Sequence, residues 1–277
     1  MARILAISSQ VARGHVGLSA IVPALQAFGH DVIAFPTIVL SNHPGHAHVA
    51  GERQAPELLN RMLDAITANG WLGEIDAVLT GYLPSVAHVA FARAAVDRVR
   101  SHNSAAVHLC DPVLGDHPKG LYIDADAARA IRDRLVGSAN VVKLNRFELG
   151  WLSGSEVTTA HSAAHAIARC GWPLAVVSSL VAERDEEIHN ALVVNGTVSH
   201  DIAVLRRPSV PNGTGDLLSA LFLGHRLAGT NVAAAFARAI GGLRIAVEVS
   251  VGAGELKLVP NLRAIVAARS PDEDSSP

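Results

Sequence analysis

Six short runs rich in Val, Ile and Leu recur along the chain, at residues 4–7, 32–35, 77–79, 107–109, 141–144 and 174–177. Each is too short for a helix and too uniformly apolar to keep one face wet, so the pattern predicts parallel strands covered on both sides. Between the runs lie segments with helical spacing of apolar positions, at 20–28, 56–68, 86–100, 125–135 and 161–168. Most of them stop at or near a glycine (Gly29, Gly70, Gly137, Gly171), the residue best suited to the left-handed position after a helix. This alternation predicts an α/β fold: a three-layer, doubly wound, mostly parallel sheet with helices on both faces. Near residue 190 the pattern changes. Residues 191–194, the turn Asn195-Gly196 and residues 197–205 spell an antiparallel hairpin with a type I′ turn at one sheet edge. An apolar helix over 217–228, a longer helical pattern over 232–247 and a last helix over 261–268 complete the reading. With no internal repeat, residues 1–269 read as a single domain, and the polar stretch 270–277 as a frayed tail.

Composition narrows the partners. The 277 residues are 49% hydrophobic and 17% charged, enough to bury a substantial core, and the net charge of −2 leaves no electrostatic footprint for nucleic acid. No Lys/Arg block marks a membrane surface, and no apolar run reaches transmembrane length. Cys110 and Cys170 are too few for a disulfide framework, and the first residues read directly into a strand rather than a secretory leader. A reduced, cytoplasmic location and small-molecule partners are the expectation.

The strongest chemical signal is the run Pro211-Asn-Gly-Thr-Gly-Asp216, followed at once by the apolar stretch 217–223. Gly213 and Gly215 allow successive backbone N–H groups to face one concavity, Thr214 adds a hydroxyl, and a helix beginning near Asp216 adds the positive end of its dipole. Such a cradle suits phosphate. Asp216 puts a negative charge where a pure anion site would not want one, which makes sense if a substrate hydroxyl is deprotonated as it attacks phosphorus. A glycine turn with Asp216 as a helix N-cap is the plain structural alternative.

In open α/β sheets ligands bind outside the carboxyl ends of the strands. Those ends present Ser8-Ser9, with Gly14-His15-Val16-Gly17 soon after, then Ser41-Asn42-His43, Thr80-Gly81-Tyr82, Asp111-Pro-Val-Leu-Gly-Asp116, Asn145-Arg-Phe-Glu148 and Ser178-Ser179. Asp111, Asp116 and Glu148 are oxygen donors able to hold Mg²⁺ directly or through water. Asn145 and Glu148 equally fit a helix N-cap with its capping-box partner. The spacing of His43, His46 and His48 raises a zinc site against the alternative of a polar loop over a pocket. His15 reads as packing at a helix start, Cys110 as a small buried hydrophobe, and Trp71, Trp151 and Trp172 as buried against the core or a dimer surface.

Taken in order, these segments, together with Leu152-Ser-Gly154 and Gly213-Thr-Gly-Asp216, resemble the pyridoxal kinases of the ribokinase-like superfamily, from about residue 4 to 225. The resemblance implies ATP-dependent phosphorylation of the 5′-hydroxyl of pyridoxal, pyridoxine or pyridoxamine, with Mg²⁺ and often a potassium ion, in a homodimer. It implies Asp216 as base, with Gly213, Thr214 and Gly215 stabilising charge on the moving phosphoryl group. Ser9 would bond the pyridine ring, and His43 and Tyr82 would line the vitamin pocket. Asp111, Asn145 and Glu148 would position metal and phosphates, Ser178 and Tyr122 would lie near the nucleotide, and adenine would rest on apolar surface between the last helices. The chain departs from the family at Gln10 (commonly His), at Pro44 (commonly Thr) and at Lys143-Leu144 (commonly Thr-Pro). Lys143 either reaches the ATP phosphates or is a solvated side chain. A kinase for a hydroxymethylpyrimidine or another small aromatic alcohol, and a non-catalytic binder of pyridoxal phosphate, are the competing readings.

Overall fold

The computed structural model describes residues 1–181, 184 and 186–271. A nine-stranded sheet carries the fold, in the order β11-β10-β9-β8-β5-β4-β1-β2-β3. Its strands are β1 (Arg3–Val11), β2 (Asp31–Leu40), β3 (Gly51–Arg53), β4 (Ala77–Thr80), β5 (Val107–Cys110), β8 (Val141–Asn145), β9 (Leu174–Val181), β10 (Glu187–Val194) and β11 (Thr197–Leu205). The central pairings from β2 through β1, β4, β5 and β8 to β9 are parallel, while β3, β10 and β11 add antiparallel edges. A separate pair, β6 (Gly115–Asp116) and β7 (Gly120–Leu121), lies in the loop after β5.

Strand alternation sorts two cores onto the two faces. Leu5, Ile7, Val78, Val142 and Leu144 pack with α2 (Pro56–Ala68), α3 (Val86–His102), α4 (Ala125–Ala130), α5 (Arg146–Ser153) and α6 (Ala160–Cys170). Ile4, Ala6, Ala77, Leu79, Leu109 and Val141 pack with α1 (Leu18–Ala27), α7 (Thr214–Leu227), α8 (Val232–Ser250) and α9 (Leu258–Val266). Both faces are apolar because both are covered. The chain runs from β1 to β2 on one side and returns to β4 on the other, so β1 is the switch point where a crevice opens.

The hairpin turn has Asn195 at φ 49° and Gly196 at φ 74°, the two positive values a type I′ turn requires. Several sequence expectations need correction. Strands β1, β2 and β9 run beyond their apolar runs, and β3, β6 and β7 have no apolar run to announce them. The helix expected over 125–135 is α-helical only to Ala130 and continues as a π-type turn over Ile131–Leu135. The last helix starts at Leu258, one turn earlier than expected. Trp172 is buried, whereas Trp71 is 48% exposed. Ser270 is buried rather than frayed, and residues 272–277 of the expected tail lie outside the described residues.

Candidate active site

The parallel register aligns the strand ends. Ile7 pairs with Thr80, Thr80 with Cys110, and Asn145 with Ser178, so the residues that follow these strands open on one crevice. That crevice is a cavity of about 980 Å³. Every expected site residue lines it: Ser9, His43, Tyr82, Asp111, Tyr122, Lys143, Asn145, Glu148, Ser178 and the run Gly213 to Asp216.

The helix behind the expected cradle, α7, begins at Thr214 rather than near Asp216. Gly213 is the N-cap of α7 at φ 101°, and Asp216 sits within the first turn, not at the cap. A side chain at Gly213 would collide with the carbonyl of His15, so only glycine fits. Leu217 N donates to Gly213 O at 3.0 Å, and the amides of Thr214, Gly215 and Asp216 precede it, where a helix has no carbonyl to accept them. The Gly17 amide, at the start of α1, favours the ionised Asp216 carboxyl. Burial first, then the Asp111 charge, pushes its carboxyl up to about 6, against the pull of that amide and of Lys143.

Beneath the cradle lies a buried charge cluster. Lys143 shares its strand face with Val141 and so points toward α7, where its Nζ meets Asp111 Oδ2 at 3.1 Å. Its side chain is 6% exposed, which rules out the solvated alternative. Burial opposes its charge, but Asp111, Glu148 and Asp216 outweigh burial and hold its pKa above the ordinary lysine value. Ser219 Oγ donates to the same Asp111 oxygen at 2.6 Å, while Asp111 Oδ1 is buried with no hydrogen-bond partner. Gly215 and Ser219 stand one turn apart on the face of α7 that covers this cluster. A β-carbon at Gly215 would lie 2.7 Å from Lys143 Nζ and would have to displace the ammonium. Ser219 escaped the sequence reading, although a lone hydroxyl in an apolar helix run, one turn after Asp216, was a usable signal.

Asn145 and Glu148 do form the capping box of α5. Asn145 Oδ1 accepts from Glu148 N at 2.9 Å, and Glu148 Oε2 accepts from Asn145 N at 2.8 Å. Glu148 Oε1 also takes the Leu114 amide, and Asn145 Nδ2 donates to Gly115 O, so the pair staples the loop after β5 to the head of α5. Burial, partly countered by Lys143, pushes the Glu148 carboxyl up to about 7. In that loop Val113 holds φ 44°, a strained value for a β-branched residue, at the cavity wall. Asp116 is exposed at the rim, where its Oδ1 accepts the His117 amide.

At the other end of the cavity, Tyr82 is fixed through its backbone. Ser8 Oγ accepts the Tyr82 N–H at 3.1 Å, and Thr37 Oγ1 donates to the Tyr82 carbonyl at 2.8 Å. His43 lies in the loop joining β2 to β3. Its Nδ1 accepts the Gly45 amide at 3.0 Å and faces Asn212 Nδ2 at 3.2 Å, linking this loop to the cradle loop. Burial, with Lys119 and His46 nearby, lowers its pKa and keeps the ring neutral. Among the described residues no three His, Cys, Asp or Glu side chains converge to hold a metal, so His43, His46 and His48 form no zinc site there. Cys110 is buried, and burial pushes its thiol up to about 12, as befits a packed hydrophobe. Leu243, Val247 and Ile240 of α8 give the cavity an apolar wall, flanked by Arg206 and Arg207.

Comparison with known proteins agrees with this geometry. A sequence model of the family described as phosphomethylpyrimidine kinase matches residues 17–260. The chain is 36% identical to the pyridoxal kinase PdxY of Rubrobacter xylanophilus over 95% of its own length and 93% of the relative's. It is 37% identical to that of Leifsonia xyli, over 80% of each chain. Among solved structures, the pyridoxal kinase of Leishmania donovani in complex with ADP and pyridoxine superposes with a TM-score of 0.90 at 28% identity, covering 97% of this chain and 96% of that one. The pyridoxal kinase of Entamoeba histolytica gives a TM-score of 0.90 at 26% identity, over 98% of both chains.

Proposed function

This chain belongs to the pyridoxal kinases of the phosphomethylpyrimidine kinase family, and from that premise we propose that it transfers the γ-phosphoryl group of ATP to the 5′-hydroxyl of pyridoxal. The observation that carries the reading is the meeting of a carboxyl with a raised pKa, Asp216, and an amide-lined helix start within one cavity. Asp216 takes the proton of the attacking alcohol, and its pKa near 6 leaves it ionised yet basic enough at neutral pH. The first-turn amides of α7 and the Thr214 hydroxyl receive the charge that spreads over the phosphoryl oxygens. Tyr82, His43 and Ser9 hold the pyridine ring at the β1 switch point. Tyr122 and Ser178 border the nucleotide, and the apolar wall of α8 takes the adenine.

The donor set fits the magnesium ion that ATP carries. Asp111 Oδ1 is a buried carboxylate oxygen without a partner, and three carboxylates (Asp111, Glu148 and Asp216) act on the single ammonium of Lys143. Asp111 would hold the ion, with Asn145 and Glu148 beside it. So few protein ligands suit a cation that keeps its waters and phosphate oxygens. When bound, the ion neutralises charge on the transferred group.

One unbroken sheet with a core on each face supports a single domain over residues 1–269. The family likeness supports a homodimer, which sedimentation would show as twice the 28.9 kDa chain mass. ATP chemistry and a buried free thiol suit a reduced, cytoplasmic setting, and among the described residues no helix is long and apolar enough to cross a membrane.

A second reading, phosphorylation of a hydroxymethylpyrimidine, is favoured by the family model's own description. ATP-dependent turnover by the purified protein on pyridoxal, pyridoxine, pyridoxamine and a hydroxymethylpyrimidine separates the two. The proposal expects the highest kcat/KM on pyridoxal, and best turnover on the pyrimidine would replace it. Loss of turnover in Asp216→Asn with retained ATP binding would exclude a mere binder of pyridoxal phosphate.

A further inference from the structure

We propose that Lys143 is a built-in monovalent cation: its ammonium supplies, through a covalent tether, a single positive charge beneath the phosphoryl cradle, in place of a dissolved potassium ion. Turnover by this protein is then independent of dissolved potassium. The inference rests on the phosphoryl-transfer reading of the site and concerns how its charge is provided.

A dissolved monovalent cation at this place would need a buried anionic oxygen beside the cradle amides. Among the described residues Asp111 is the buried carboxylate that reaches the cradle helix, and its Oδ2 is occupied by Lys143 Nζ at 3.1 Å and Ser219 Oγ at 2.6 Å. The ammonium also fills the space under Gly215, where even a methyl group would come within 2.7 Å of it. Potassium and an alkylammonium carry the same charge and differ little in size. The site therefore does not fit potassium, because an ion there would displace Lys143 or sit against its like charge. The lysine stem rises from β8, inside the covered sheet, toward α7 and is 6% exposed, so the charge cannot wash out with solvent ions. Asp111 lines the cavity, and its Oδ1 is buried with no hydrogen-bond partner, a free acceptor on the carboxylate that holds Lys143. One carboxylate can thus serve the fixed ammonium through one oxygen and the nucleotide's metal through the other.

The test compares potassium, sodium and tetramethylammonium chlorides at equal ionic strength, reading both the initial rate on pyridoxal and the thermal midpoint of the ligand-free protein. The wild type is expected to keep its rate within about twofold across the three salts, with no potassium-specific rise in midpoint. Lys143→Ala removes the charge and opens its space. In tetramethylammonium it is expected to lose about a hundredfold in rate, to recover part of that in potassium or ammonium chloride, and to gain a potassium-specific rise in midpoint. A merely structural lysine would not produce such rescue. Stimulation of the wild type by potassium of about tenfold or more overturns the proposal. So does a folded Lys143→Ala variant whose rate and midpoint both ignore potassium. Should that variant not fold, the wild-type comparison decides alone. The thermal reading answers the charge question even for a protein inactive on pyridoxal, so the two readings fail separately.

Discussion

In its proposed role as base, Asp216 works under two opposed demands. A base for an alcohol must hold its proton affinity near the working pH, and burial beside Asp111 achieves this by raising its pKa from 3.8 to about 6. The same shift weakens the fold. A carboxyl whose pKa is raised on folding binds its proton more tightly in the native state, so stability is greatest below the unfolded value and declines as pH rises from about 4 to about 6. Glu148 extends the decline toward about pH 7. Turnover at limiting pyridoxal should rise through pH about 6, and a pH–rate profile flat between pH 5 and pH 7 would remove Asp216 from the role of base. Asp216→Asn should abolish turnover yet raise the ligand-free midpoint at neutral pH by roughly 2–4 °C for each kcal/mol released, as differential scanning fluorimetry would register. Gly215→Ala is expected to act on chemistry alone. Its methyl group would push Lys143 Nζ off Asp111, lowering kcat by about tenfold or more while circular dichroism and ATP binding hold.

At the level of elements, most groups given a role in the proposed chemistry stand where a strand ends or a helix begins, and these junctions are local enough to read from sequence. Glycines at positive φ, apolar runs and the Asn-x-x-Glu spacing act over a few residues, so the cradle, the hairpin turn and the α5 cap were legible. What escaped depends on partners distant in the chain. Strands β1, β2 and β9 continue past their apolar runs because their backbones keep pairing with neighbouring strands, Gln10 with Val39 and Val181 with Ile188, partners that lie in other segments. Ser219 meets Asp111 across 108 residues of sequence. The burial of Lys143, by contrast, was implied once its strand was read as covered on both faces, since a side chain in register with Val141 has no route to water. The capping box itself can be tested. Asn145→Ala deletes the bonds to Glu148 N and Gly115 O, and should cost about 1 kcal/mol in urea unfolding while loosening the Asp111 loop and raising KM for ATP. An unchanged KM would confine Asn145 to holding the helix.

Across the whole molecule, the crevice is bounded by segments far apart in sequence that the fold brings together: the loop after β1, the β2–β3 loop, the β5 loop and the α7 head. Ligands that touch all of them should bind the native chain and not the unfolded one. Saturating ATP, Mg²⁺ and pyridoxal at roughly a hundred times their dissociation constants are expected to add about 2.7 kcal/mol for each tightly held site, with a midpoint rise of several degrees. A midpoint indifferent to all three would contradict the cavity assignment. The contacts that close the crevice are unequal in what they tolerate. At the phosphoryl end, backbone lies on backbone: a side chain at Gly213 would strike the His15 carbonyl, and one at Gly17 would strike Ser9. At the alcohol end the wall is made of side chains, with Pro44 exposed at its rim and Asn212 meeting His43 across it. A lineage selected in the laboratory for a new acceptor would collect its changes at such rim positions and leave those glycines untouched, so the range of alcohols can diverge among descendants while the transfer machinery is inherited intact.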